Sequence, residues 1–133
     1  MKTVFADAFY YLALLAADDE AHDRAVDLTL ALRARMVTTT WVLTEVADGL
    51  AKTRNRKLFN KLIDRLRNDP TVIIVPPSLV LFDASAALYR RRADKEWSLT
   101  DCVSFVVMER KHITEALTGD HHFEQAGFVA LLK

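Results

Sequence analysis

Short apolar runs of strand length alternate along the chain with longer stretches whose apolar positions recur at helical spacing. The runs Thr3–Ala6, Arg35–Thr38, Val72–Val75, Ile113–Thr118 and Phe128–Leu132 predict strands. The intervening stretches Ala8–Ala16, Ala21–Arg33, Trp41–Leu50, Asn55–Arg67, Leu79–Arg92 and Leu99–Glu109 predict helices. The strand runs look buried on both faces, as in a parallel sheet covered by helices. The pattern therefore predicts an α/β chain, a three-layer α/β/α domain around a central parallel five-stranded sheet. Pro76-Pro77 ends the third run, and Thr40 and Ser98 are placed as helix N-caps.

Length changes this picture only by bounding it: 133 residues predict one domain, residues 1–133, with room for a sizeable core. Three glycines and three prolines leave no room for a long disordered tract. The lone cysteine, Cys102, excludes an internal disulfide framework and reads as a small buried apolar residue. No apolar run reaches the length of a membrane span, and the N-terminus leads directly into a strand without a signal-peptide pattern. Together these predict a cytoplasmic protein with no membrane partner.

The net charge is zero, but its distribution is uneven. Residues 52–67 hold Lys52, Arg54, Arg56, Lys57, Lys61, Arg65 and Arg67 against Asp64 alone. Arg90, Arg91, Arg92 and Lys95 form a second cluster. Local basic patches can hold a polyanion even on a neutral protein, and a solvated helix face is the plainer alternative.

Four acids stand where carboxylates are costly. Asp7 and Asp120 follow strand runs, Glu45 interrupts an amphipathic helix, and Asp101 opens the apolar run Cys102–Met108. An ionised carboxylate beside a core needs a partner or a metal. In α/β sheets the ligand site lies beyond the carboxyl ends of the strands, where Asp7 and Asp120 fall. The helices bearing Glu45 and Asp101 could start at that same edge. Each acid also has a structural reading. Ser98-Leu99-Thr100-Asp101 is spaced as a capping box, while Asp120 and Asp7 could cap the helices that follow them. His121-His122 adjoins Asp120, but no zinc-type spacing occurs, so an oxygen-rich site points to Mg²⁺ or Mn²⁺. Gly49, Gly119 and Gly127 make no phosphate-binding or dinucleotide loop.

The order of these features resembles a PIN domain, and most closely the VapC-type ribonuclease toxins of prokaryotic toxin–antitoxin pairs. The resemblance rests on Asp7 after a strand, Glu45 within a helix, Trp97–Phe105 and Leu117–Phe128. It implies that Asp7, Glu45, Asp101 and Asp120 form a shared Mg²⁺/Mn²⁺ site, with the Thr100 and Thr118 hydroxyls beside it. It also implies a homodimer and a cognate antitoxin partner. One position departs: where the family commonly carries Ser, Thr or Asn two residues after the first Asp, this chain has Phe9.

The chemistry implied is metal-dependent hydrolysis of RNA phosphodiesters, with Arg54, Arg56, Lys57 and Lys61 holding the RNA backbone. Two rivals stay open. One is a PIN-like nuclease acting in RNA processing or on DNA. The other is a catalytically weak PIN-fold binding module, suggested by Phe9. A phospho-receiver domain would need an Asp ending the third strand, where this chain has Val75-Pro76-Pro77.

Overall fold

The computed structural model describes residues 1–133. Strands β1 (Lys2–Ala6), β2 (Ala34–Thr39), β3 (Val72–Val75), β4 (Glu115–Leu117) and β5 (Val129–Ala130) form one sheet, ordered β3-β2-β1-β4-β5. Every neighbouring pair runs parallel. Helices α1 (Ala8–Leu15), α2 (His22–Ala31), α3 (Thr40–Gly49), α4 (Arg56–Asn68), α5 (Leu79–Arg91), α6 (Leu99–Arg110) and α7 (His121–Gln125) fill the connections. The predicted α/β class and central parallel five-stranded sheet are thus the observed ones.

The core lies on the middle strands. Val4, Phe5, Ala6, Val37, Ala116 and Leu117 are buried, as the unalternating strand runs require. The register pairs Phe5 with Val37 on one side and with Ala116 on the other. Buried α6 supplies Cys102, Val103, Phe105, Val107 and Met108. Phe105 meets Trp97 and Phe123 edge-on, each at 5.0 Å between ring centroids. Such pairs stabilise by about 1 kcal/mol beyond area burial. They also fix the start of α7 against α6, which matters because both helix starts carry acids.

The chain leaves β1 toward β2 and β3, then crosses back to β4 on the opposite side of β1. The strand order therefore reverses between β1 and β4. A crevice opens at such a switch point, outside the carboxyl ends of the strands.

Most boundaries shift by a residue or two from the sequence reading, and three of the differences trace to a hydrogen bond. The N-cap of α3 is Thr39, not Thr40: the Thr39 hydroxyl accepts from the Val42 N–H at 3.1 Å. The fourth strand is shorter than Ile113–Thr118 because the Ile113 N–H closes α6 on Met108 O, at 2.8 Å. The fifth starts after Phe128, whose N–H donates to Phe123 O at 3.0 Å and closes α7. That closure needs Gly127 at φ 95°, a left-handed conformation natural to glycine.

No helix is long and apolar enough to cross a membrane. The outer face of α5 leaves Leu79, Val80, Phe82 and Tyr89 exposed.

Candidate active site

The strand ends and helix starts at this crevice carry Asp7, Asp101 and Asp120, and the second turn of α3 carries Glu45. Asp7 follows β1 in an extended conformation that turns the chain into α1. It precedes α1 as a cap would, but its side chain makes no capping hydrogen bond. Instead Asp7 Oδ2 accepts from the Thr118 hydroxyl at 2.8 Å, across the β1–β4 junction. Asp7 is only 5% exposed. Burial, followed by the negative charges of Asp101 and Glu45, pushes its carboxyl up to about 7 against the pull of Thr118. A carboxylate has been placed where ionising it is expensive.

Thr118 links two acids. While donating to Asp7, its oxygen accepts from the Asp120 N–H at 3.1 Å. Asp120 in turn caps α7, accepting from the His122 N–H at 2.9 Å.

Asp101 occupies the third position of α6 and closes a complete capping box. Ser98 Oγ accepts from the Asp101 N–H at 3.0 Å, and Asp101 Oδ2 accepts from the Ser98 N–H at 3.1 Å. The cap locks the carboxylate's rotamer, so structural and chemical roles coincide in one residue. Burial, then Asp120, raises the Asp101 carboxyl, while Ser98 and His122 pull it down.

Glu45 stands on the more exposed wall formed by α3. Partial burial raises its carboxyl first, with Asp101, Asp120 and Asp48 adding like-charge repulsion. Each of the four acids thus lies within electrostatic reach of at least one other, and no lysine or arginine forms an ion pair with any of them. Thr100 lines the cleft beside Glu45, together with Thr40, Trp41, Thr44, Asp48 and Pro77.

His122 is the site residue that the sequence reading left outside the acidic set. Its Nδ1 lies 3.1 Å from Asp101 Oδ2 and 3.4 Å from Asp120 Oδ1. An ionised carboxylate only accepts, so Nδ1 carries the proton in that contact. The signal was its position two residues after a helix-capping Asp, where the first turn folds the ring back over the cap. Asp120, His121 and His122 bring ligand-capable atoms within 4.8 Å of one another. With Nδ1 of His122 engaged by carboxylates, the donors left around the crevice are mostly oxygen.

Phe9 points elsewhere. Its ring covers Gly119, where an added Cβ would lie 2.5 Å from Phe9 Cζ. The hydroxyl found on Asp7 comes from Thr118 rather than from the position two residues after it.

The four basic residues separate. Arg54 lies in the single 3-10 turn Thr53–Asn55, whereas Arg56, Lys57 and Lys61 are on α4. All four are exposed, and none is in an ion pair. Arg56 lines a small cleft with Asp48, which connects it to the Glu45 wall. Lys61 instead borders an apolar groove containing Tyr10, Leu14 and Leu62.

Comparison with known proteins agrees with this fold. No curated protein matches the chain. Among solved structures, VapC20 of Mycobacterium tuberculosis, a Sarcin-Ricin loop cleaving toxin, is similar at 26% identity and a TM-score of 0.86, with 95% of this chain and 96% of that one covered. FitAcB from Neisseria gonorrhoeae shares the fold at 20% identity and a TM-score of 0.67, over 96% of this chain and 94% of that one. The model of the PIN domain matches residues 4–129, a span that includes all four acids. The chain belongs to the PIN domain family.

Proposed function

We propose that this protein is a Mg²⁺- or Mn²⁺-dependent endoribonuclease, the toxin of a toxin–antitoxin pair. The carrying observation is the gathering of Asp7, Glu45, Asp101 and Asp120 at one sheet edge without a lysine or arginine partner. The likeness to a Sarcin-Ricin loop cleaving toxin supports the substrate class.

The residues fit a hard divalent cation. A carboxylate raised to about 7 by burial and like charge is relieved by a cation, and the donors offered are mostly oxygens, with the nitrogens of His121 and His122 beside Asp120. Asp7 and Asp101 would be direct ligands, with Glu45 and Asp120 completing the site. When bound, such an ion supplies Lewis acidity toward phosphoryl oxygens and makes a water more acidic.

The chain's own side chains supply the positioning. Thr118 holds Asp7 and the backbone of Asp120 together, and the capping box holds Asp101. Thr100 contributes to the wall of the cleft beside Glu45. His122 ties Asp101 to Asp120, keeping α6 and α7 in step. Glu45, on the more exposed wall of the cleft, would complete the metal site or orient the attacking water. Cleavage by this route leaves a 5′-phosphate and a 3′-hydroxyl and does not need the 2′-hydroxyl.

The direct test is incubation of purified protein with RNA. Cleavage is expected with Mg²⁺ or Mn²⁺, silence with chelator, and recovery on adding the metal back. Cutting unaffected by thorough chelation would overturn the metal assignment.

Arg54, Arg56, Lys57 and Lys61 are proposed to hold RNA phosphates without reading sequence. Reversing Arg54 and Lys57 to glutamate is expected to weaken RNA binding and reduce its salt slope by about 2. A salt titration showing the wild-type slope would return these residues to a solvated face.

A cognate antitoxin, a homodimer and a cytoplasmic site of action complete the reading. Expression alone is expected to arrest growth, whereas Asp7→Asn is tolerated. Should the wild type be harmless while cleaving RNA in vitro, a processing nuclease becomes the better assignment. The solution mass checks the dimer.

A further inference from the structure

The cleft beside Glu45 has two features that a carboxylate site does not itself require. Trp41 is partly buried in the first turn of α3, one turn before Glu45, and Pro77 contributes to the same cleft from the segment after β3. The cleft has a volume of about 480 Å³ and is bounded by Thr40, Thr44 and Thr100 as well. Its lining includes Glu45 itself, so whatever fills it adjoins the candidate catalytic carboxylates.

The indole packs partly against the core and lines the cleft with its remaining surface, and the walls here are otherwise hydroxyls and carboxylates. Phosphate would be repelled by Glu45 and Asp48. A flat, uncharged, aromatic group is not. Trp41 offers it aromatic surface, and Pro77 offers an apolar surface.

We propose that Trp41 and Pro77 form a nucleobase subsite, in which a base of single-stranded RNA next to the scissile phosphate stacks on the Trp41 indole. This rests on the RNA-hydrolase reading and adds to it a positioning residue. The subsite requires the flanking base to be unstacked, and so favours loops and single strands over duplex. Stacking on an aromatic side chain tolerates any base, so Trp41 sets position rather than sequence.

The chain has two tryptophans, which makes the subsite directly observable. Trp97 is buried against Phe105 and covered by Arg92, so its emission is a constant background. In metal-free Asp101→Asn protein, short oligoadenylate is expected to quench fluorescence saturably. An abasic oligomer of the same backbone charge is expected not to. The quench should survive Trp97→Phe and vanish in Trp41→Leu.

With active protein, Trp41→Leu is expected to raise KM for single-stranded RNA by about 5- to 150-fold. Trp41→Phe, which keeps an aromatic face and most of the packing, should restore much of it. Circular dichroism confirms that each variant is folded. Equal quenching by abasic and intact oligomers, or an unchanged KM in folded Trp41→Leu, would overturn the subsite while leaving the nuclease intact. No cleavage or binding of any RNA by the wild type would remove both.

Discussion

Asp101→Asn is expected to lower RNA cleavage by about 10²- to 10⁴-fold with little change in fold, because a divalent ion's share of transition-state stabilisation is several kcal/mol. The substitution is nearly isosteric. Asn still offers an oxygen to the Ser98 N–H, so the capping box that starts α6 can persist. What is lost is charge, at a buried position where charge is costly to place and strongly felt. Cleavage assays across a metal titration are the check: excess Mn²⁺ should rescue only part of the loss. Full activity in folded Asp101→Asn would show that the acids have been misassigned. His122→Ala is expected to cost less, about 10- to 100-fold, since His122 acts through Asp101 and Asp120.

Asp7→Asn is expected to make the metal-free protein more stable near pH 8, while destroying its activity. The folded-state carboxyl of Asp7 sits at about 7, above the ordinary 3.8 that it regains on unfolding. Between those values the folded chain binds the extra proton, so stability falls as pH rises through that window and then levels off. The full span corresponds to up to about 4 kcal/mol. Thermal melts of chelated wild type should therefore drop between about pH 4 and pH 7, and Asn at position 7 should flatten the drop. At pH 8 the variant should melt roughly 5 to 15 °C higher. Adding Mg²⁺ or Mn²⁺ should recover stability in the wild type above pH 7 and do much less for the variant. A wild-type melting temperature independent of pH over this range would mean that Asp7 is not strained by burial.

Function and stability pull apart at this residue for one physical reason. A site that binds a cation must hold uncompensated negative charge before the cation arrives. The hydrogen bond from Thr118, and after it the Ala8 backbone N–H, offsets part of that cost, and the rest is carried by the surrounding core.

Much of the fold was legible because its signals are local. Unalternating apolar runs such as Thr3–Ala6 require a strand buried on both faces, and Val4, Phe5 and Ala6 are so buried. The Ser98–Asp101 spacing offered a capping box as one reading, and one is present. Strand ends were less legible: Ile113 and Phe128 have strand-like side chains, yet their N–H groups close helices. The choice of Thr39 over Thr40 as N-cap likewise depended on where β2 stops.

The sequence by itself determined the α/β class, the order of elements and the acids as residues out of place. Each follows from periodicity or from the cost of charge beside apolar runs. Only the tertiary structure decided the strand order β3-β2-β1-β4-β5, which sets β4 against β1 and so lets Thr118 reach Asp7 across 111 positions of chain. It alone engaged His122 with Asp101, divided Arg56 from Lys61, and put Trp41 and Pro77 into one cleft. Periodicity places a side chain on a face of its own element, whereas a site is a meeting of faces from different elements, fixed by packing.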